Sequence, residues 1–288
     1  LNRQRLEAAL RVARECSTLP VTADAIAPEI YLFDAISSTN RTLWDLIDQR
    51  PLNTPNPLPE GSIVLAAQQH SGKGQWGRQW ASAPGGLYLS IVLYPNLLLE
   101  DSAQLTLCTA WGIAKALREI PGRLSGTTNK IPVELKWLND LVLNGRKLGG
   151  ILTETRIQHD RITKAVVGVG INWTNPVPDV GINLQSVLQE QSVPLIESLE
   201  MLAAIVSVGV MSGYQRWQTV GMKTLLPSYE ALLVNLGQSV TLDDRSGGIS
   251  GTIVGVTAAG ALRIRSTNHP DTVDEIFMKP GTISLGYG

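Results

Sequence analysis

Cysteine, histidine and charge are all scarce in this 288-residue chain. The two cysteines, Cys16 and Cys108, stand far apart with no CxxC pair and no histidine-rich neighbour. That excludes a disulfide framework and a structural zinc site, and two reduced thiols are the expectation. Charged residues make up only 17% of the chain, and 24 basic residues face 25 acidic ones, for a net charge of −1. No overall basic field exists to hold a polyanion, so non-specific nucleic-acid binding is a poor reading. Long apolar runs are missing too. The longest, Met201–Met211, falls well short of the roughly 18 residues that open a membrane span. The first twenty residues mix acidic and basic side chains where a signal peptide needs an apolar stretch. A cytoplasmic protein without membrane association is expected.

Hydrophobic residues reach 43%, ample for a large core. The length predicts a main domain over 1–237 and a small companion over 238–288. Leu6, Ala9, Leu10 and Ala13 recur at helical spacing, and Leu43, Leu46 and Ile47 do so after Ser38-Thr39-Asn40, where Thr39 or Asn40 would cap the helix. Strands are expected at 62–68, 87–94, 135–137, 140–143, 150–154 and 165–171. A buried helix is expected over 103–120, stopped by Pro121-Gly122, and further helices over 196–220 and 223–236, the last ended by Gly237. Strands and helices alternate without a steady βαβ rhythm, which predicts an α+β domain on a mixed or antiparallel sheet with flanking helices. From Gln238 onward, five short strands separated by glycine turns suggest a small SH3-like β-barrel.

Three segments could carry chemistry. In QHSGKGQWGRQW at 69–80, Gly72, Gly74 and Gly77 alternate with Lys73 and Arg78. Glycines let backbone N–H groups approach an anion, and the cations add charge-assisted bonds. The spacing is neither a Walker A loop nor a Rossmann fingerprint. In KWLNDLVLNGRKLGGILTE at 136–154, Asn144-Gly145 is a type I′ hairpin signal. Period-2 alternation places Lys136, Leu138 and Asp140 on one face and Trp137, Asn139 and Leu141 on the other. Lys147 precedes Gly149-Gly150, where a ligand could approach the backbone closely. GVGIN at 168–172 ends a buried strand with two glycines and Asn172. Each segment alone is compatible with a plain surface loop, an exposed hairpin or a tight strand crossing.

Together, in this order and spacing, these segments and Ser38-Thr39-Asn40 resemble the biotin protein ligase family. Its pattern runs Ser-Thr-Asn, QxxGRGRxGRxW, KWPNDxxxxxRKxxGIL with E, then GxGIN. The resemblance spans about 38–172 and extends to the small C-terminal barrel. It implies a class II synthetase-like catalytic domain that makes biotinyl-5′-AMP from biotin and ATP. The biotinyl group then passes to a lysine of a biotin carboxyl carrier protein, that of acetyl-CoA carboxylase first among them. Mg²⁺ is the implied cofactor. Biotin's carboxylate is ionised at neutral pH, so the first step needs charge neutralisation and alignment rather than a base.

Carried over residue by residue, the resemblance gives Lys147, Lys73 and Arg78 catalytic roles. It assigns biotin to Ser38, Thr39, Gln69, Gly72, Lys147, Gly150 and Gly168. The nucleotide falls to Lys73, Gly74, Gln75, Arg78, Trp80, Lys136, Asn139 and Asn172, with Trp80 stacking on adenine. Asp140 is the candidate metal ligand. Lys73 and Gln75 stand where the family pattern has arginine, and Leu138 where it has proline. The loss of charge at Gln75 is expected to loosen the hold on the adenylate. His70 is expected to be an exposed loop residue, and His159 and His269 lie outside every motif. About thirty residues with one helix precede Ile30, fewer than the roughly 55–65 of a winged helix-turn-helix, so no DNA binding is expected. A homodimer through a sheet edge is compatible with the sequence. A lipoate–protein ligase and a non-catalytic biotin or nucleotide sensor are the competing readings.

Overall fold

The structure, a computed structural model, describes residues 1–19, 27–50, 57–128, 130–190, 196–242, 249–266, 275–283 and 285–286. Its main sheet has eight strands: β1 (Ile30–Phe33), β2 (Ile63–Ala66), β3 (Leu87–Leu93), β4 (Leu97–Leu98), β5 (Glu134–Lys136), β6 (Asp140–Leu143), β7 (Arg146–Gln158) and β8 (Arg161–Ile171). They run in the order β1-β2-β3-β8-β7-β6-β5, with β4 beside β8. Only β1 and β2 pair in parallel, so the sheet is mixed, as expected.

Three helices, α1 (Arg3–Glu15), α3 (Ala103–Leu124) and α5 (Leu199–Glu230), cover one face and bury the main core. On the other face α2 (Thr39–Gln49) packs Leu43 and Ile47 on Val64, Val92 and Val166. Period 2 sorts the strands accordingly. Leu87, Leu89, Ile91 and Leu93 of β3, and Ala165, Val167, Val169 and Ile171 of β8, enter the main core. The alternate positions Ser90, Gly168 and Gly170 therefore face α2. They pair through the registers Ser90↔Gly168, Leu152↔Gly168 and Gly150↔Gly170. With glycine at three adjacent positions, the sheet has a floor without side chains of its own, on which side chains from elsewhere can lie.

Several boundaries differ from the sequence reading. Ser38, not Thr39 or Asn40, caps α2. α3 runs through Pro121-Gly122 to Leu124, because both residues are buried and the last turn is closed by Ser125 N–H and Oγ donating to Pro121 O. The last two expected helices are joined as α5 across Gly221, whose φ of 73° breaks the helical path. The second part ends at Glu230 rather than Leu236. Residues 231–236 turn away to serve the free edge of β5, with Leu135 N–H donating to Leu232 O and Val234 N–H to Leu135 O. α4 (Leu184–Glu190) has no counterpart in the sequence reading.

The C-terminal part is a four-stranded antiparallel sheet, β9 (Ser239–Leu242), β10 (Ile249–Val256), β11 (Leu262–Ser266) and β12 (Glu275–Met278), in the order β12-β11-β10-β9. Among the described residues it does not close into the expected barrel. Where the last of the five expected strands would begin, the chain turns instead, with Gly281 at a φ of 83° and Thr282 donating to Lys279 O. Ile253, Val256, Leu262 and Ile264 join the main core, so the apolar interior runs without interruption across position 237.

Candidate functional site

A cavity of about 800 Å³ opens over the glycine floor, within the range of small-molecule sites. One end is polar and built on the start of α2. The Ser90 hydroxyl lies 2.7 Å from both Thr39 Oγ1 and Asn40 Oδ1. Gln69 Oε1 accepts from Thr39 N–H at 2.8 Å, and Gln69 Nε2 donates to Ser82 Oγ at 2.9 Å. Gln69 is thus engaged at both ends of its amide. Ser38, also buried at this end, has a hydroxyl with no partner among the described residues. Asn40 fills the space over Gly168, where a Cβ would stand 2.3 Å from Asn40 Oδ1.

The glycine loop forms the cavity's near wall. It doubles back through Gly74 N–H donating to Arg78 O and Trp80 N–H donating to Gly72 O. Its tip is a short turn at Gln75–Gly77 with Trp76 at φ 64° and Gly77 at φ 71°. Lys73, Gly74, Gln75, Arg78 and Trp80 all line the cavity. Gly72 does not. A Cβ there would meet Ser82 Oγ at 2.4 Å and Trp80 O at 2.5 Å, so this glycine serves the close crossing of the loop on itself. His70 is exposed as expected, His159 sits in the β7–β8 turn with φ 50°, and His269 lies outside the described residues.

The lysine hairpin supplies the charged end. The expected alternation through 136–141 is broken: 137–139 form a turn, and Lys136 and Asp140 are cross-strand partners of β5 and β6. The Trp137–Leu138 peptide bond in that turn is cis. Asn144 and Gly145 have φ of 49° and 71°, the type I′ geometry read from the sequence. Beyond them a bulge shifts the β6–β7 register, pairing Val142 with Lys147 but Leu141 with Gly149. Leu148 is the extra residue, and it enters the main core. Without it, period 2 would point Lys147 the same way as Gly149, into the helix layer. The bulge re-aims Lys147 to the cavity face of Gly150.

There Lys147 Nζ donates to Asp140 Oδ1 at 2.7 Å and stands 5.5 Å from the centre of the Trp80 ring, within reach of a cation–π contact. Lys136 is 4% exposed, and its ammonium donates to Gly286 O. Burial pulls its pKa down from 10.5 to about 8, against the pull of Asp140 and with a further push from Lys147. Asn139 Nδ2 donates to Ile151 O.

Asn172 lies on the wall, and sequence reasoning missed its neighbour Asn175, which is buried beside it. It also missed Asn40, Trp76 and the C-terminal residues Pro280, Ile283 and Leu285, all of which line the cavity. Asn40 belonged to a recognised motif, and Trp76 lay within the loop motif. Nothing local in the sequence places the C-terminal residues against it.

Residues 32–172 match the Biotin/lipoate A/B protein ligase family. A Bacillus subtilis protein named bifunctional ligase/repressor BirA is 26% identical over 246 residues, 84% of this chain and 71% of its own. A Paracoccus denitrificans protein named biotin–[acetyl-CoA-carboxylase] ligase is 28% identical over 221 residues, 72% of this chain and 85% of its own. Among solved structures, a biotin protein ligase from Aquifex aeolicus, in complex with biotin and ATP, superposes with a TM-score of 0.67. It is 23% identical, and the match covers 90% of this chain and 99% of that one. This last likeness shows a common fold.

Proposed function

Residues 32–172 match the biotin/lipoate A/B protein ligase family, and on that premise we propose that the chain is a biotin protein ligase. It joins biotin to ATP as biotinyl-5′-AMP with release of diphosphate. It then passes the biotinyl group to a lysine amine of a carrier protein, the biotin carboxyl carrier protein of acetyl-CoA carboxylase first among the candidates. The observation that carries this reading is one cavity with hydroxyls at one end, Gly150, Gly168 and Gly170 along its lining, and the Lys147 ammonium fixed by Asp140 at the other.

In the first step a biotin carboxylate oxygen attacks the α-phosphorus of ATP and the bond to diphosphate breaks. Two anions must meet, and their repulsion is the main obstacle. Lys147 is assigned to the carboxylate and the forming acyl phosphate, and Lys73, Arg78 and Lys136 to the phosphate oxygens. Ser38 and Thr39 would hold the ureido ring over Gly150, with Gln69 fixing Thr39. Gly74, Gln75 and Asn139 would border the nucleotide, and Trp80 offers adenine a flat face beside Lys147. In the second step the carrier amine attacks the acyl carbon and AMP leaves.

No three acidic, histidine or cysteine side chains gather as a metal cage among the described residues. Magnesium takes oxygen ligands, and Asp140, with Asn139 beside it on the cavity wall, would supply them to an ion held chiefly by phosphates and water. When bound, that ion would neutralise phosphate charge. No helix among the described residues is long and apolar enough to cross a membrane.

Mass spectrometry of a carrier domain incubated with the protein, biotin, ATP and magnesium tests the proposal. The expected result is a gain of one biotin less one water, absent with lipoate and strongly slowed with Lys147→Ala. A carrier left unmodified by the wild-type protein, yet modified by a known ligase, overturns it.

A further inference from the structure

Lys147 pairs with Val142 in the β6–β7 ladder, but its own N–H and C=O point away from β6, and a different segment takes them up. Lys147 N–H donates to Val180 O at 2.8 Å, and Lys147 O accepts from Ile182 N–H at 2.9 Å. A third bond reaches the same carbonyl from a side chain: Asn172 Nδ2 donates to Lys147 O at 3.3 Å. Asn172 Oδ1 in turn accepts from Asn175 Nδ2 at 3.0 Å. Asn175 is 3% exposed. Its Oδ1 accepts from Trp173 N–H at 3.1 Å, and its Nδ2 also reaches Pro176 O at 3.2 Å.

We infer that Asn175 is a positioning residue for Lys147, acting through the amide of Asn172. The inference rests on the proposed role of Lys147 in adenylate formation. An amide can face either way, and what it meets decides which way. Because Asn175 presents N–H to Asn172, the oxygen of Asn172 must face Asn175 and its nitrogen must face the Lys147 carbonyl. One hydrogen of Asn172 Nδ2 and one lone pair of its Oδ1 are thus used within the protein to hold the lysine's backbone, and its second donor and second acceptor site are left for a ligand. Reversing the amide would set Asn172 Oδ1 against Lys147 O, two acceptors with no proton between them.

The two ends of Asn175 do different things, so substitution can separate them. Asn175→Asp keeps an acceptor for Trp173 N–H, and so the local turn, but removes the donor to Asn172. Asn172→Asp keeps the acceptor and removes the donor to Lys147 O.

The test is biotin-dependent pyrophosphate exchange by both variants, each alone and combined with Lys147→Ala, with thermal melts alongside. Each single variant is expected to lose on the order of tenfold to a hundredfold in kcat/KM for biotin. In the Lys147→Ala background neither should lose more than about twofold further, because the coupled partner is already gone. Equal losses in both backgrounds would make the pair a structural strut only, and unchanged rates in the single variants would overturn the inference outright.

Nitrogen NMR of the Lys147 ammonium, assigned with Lys147→Arg, gives a readout that needs no substrate. Its signal is expected to move toward that of a free lysine in whichever of the two variants folds. An unmoved signal overturns the inference whatever the protein's substrate proves to be. A wild-type protein inactive with biotin would instead overturn the proposed function.

Discussion

The indole of Trp80 occupies the space that a side chain on Gly170 would need: a Cβ there would lie 2.6 Å from Trp80 Nε1 and 2.8 Å from Cε2. That nitrogen is buried and has no hydrogen-bond partner among the described residues. Gly170 therefore sets how deeply the tryptophan sits beneath Lys147. Gly170→Ala should push the ring outward and, with overpacking worth about 1–3 kcal/mol, weaken biotinyl-AMP binding on the order of tenfold. Calorimetric titration with the adenylate checks this, and an unchanged affinity would refute it.

Gln75 lines the cavity next to Lys73 and Arg78, and no side-chain partner ties it down among the described residues. Restoring a cation by Gln75→Arg should add a charge-assisted bond to the phosphate and slow adenylate release on the order of tenfold. Stopped-flow release of biotinyl-AMP measures it. Equal off-rates for the two proteins would end the idea.

Lys136 gives the protein a pH signature. Buried, it loses its proton near pH 8, whereas the unfolded lysine holds it to 10.5. Between those values the unfolded chain binds more protons, so this group makes the fold more stable as pH rises from about 8 to 10.5. Below 8 its destabilising effect is present in full. Lys136→Met should flatten that stretch of the curve of Tm against pH. Nucleotide should act the other way, since phosphate favours the ammonium: ATP binding should take up protons above pH 8 and weaken as pH rises. Calorimetry in two buffers of different ionisation heat detects the uptake, and Lys136→Arg should abolish it. Proton-neutral binding by the wild-type protein would contradict the assignment.

Gly112 lies where α3 and α5 cross, and a Cβ on it would stand 2.1 Å from Gly209 O and 2.7 Å from Gly213 Cα. Backbone atoms cannot give way as a flexible side chain can. Gly112→Ala should therefore destabilise the protein by about 1–3 kcal/mol, a fall in Tm on the order of 5 °C. Exchange activity per folded molecule should be retained, because the cavity lies on the opposite face of the sheet. A Tm equal to that of the wild type would show that the helices can part without loss.

Local chemistry is what the amino-acid order settles here. Helical spacing in residues 4–16, the Asn144-Gly145 turn, the cationic glycine loop and the four ordered motifs depend on near neighbours in the chain, and all appear in the structure where the sequence puts them. Which way a side chain faces is decided at longer range. Lys136 and Asp140 share a face as the sequence has it, but as cross-strand partners of β5 and β6 across a hairpin and not as alternate residues of one run. Lys147 reaches the cavity through a bulge that exists only as a mismatch between two strands. Gly168 and Gly170 read as one glycine-rich strand end, yet one makes room for Asn40 and the other for Trp80. Pro280, Ile283 and Leu285, far along the chain and assigned by composition to a separate barrel, close one side of the cavity. Periodicity is a property of consecutive residues, whereas register and the packing of one layer on another are properties of the whole fold.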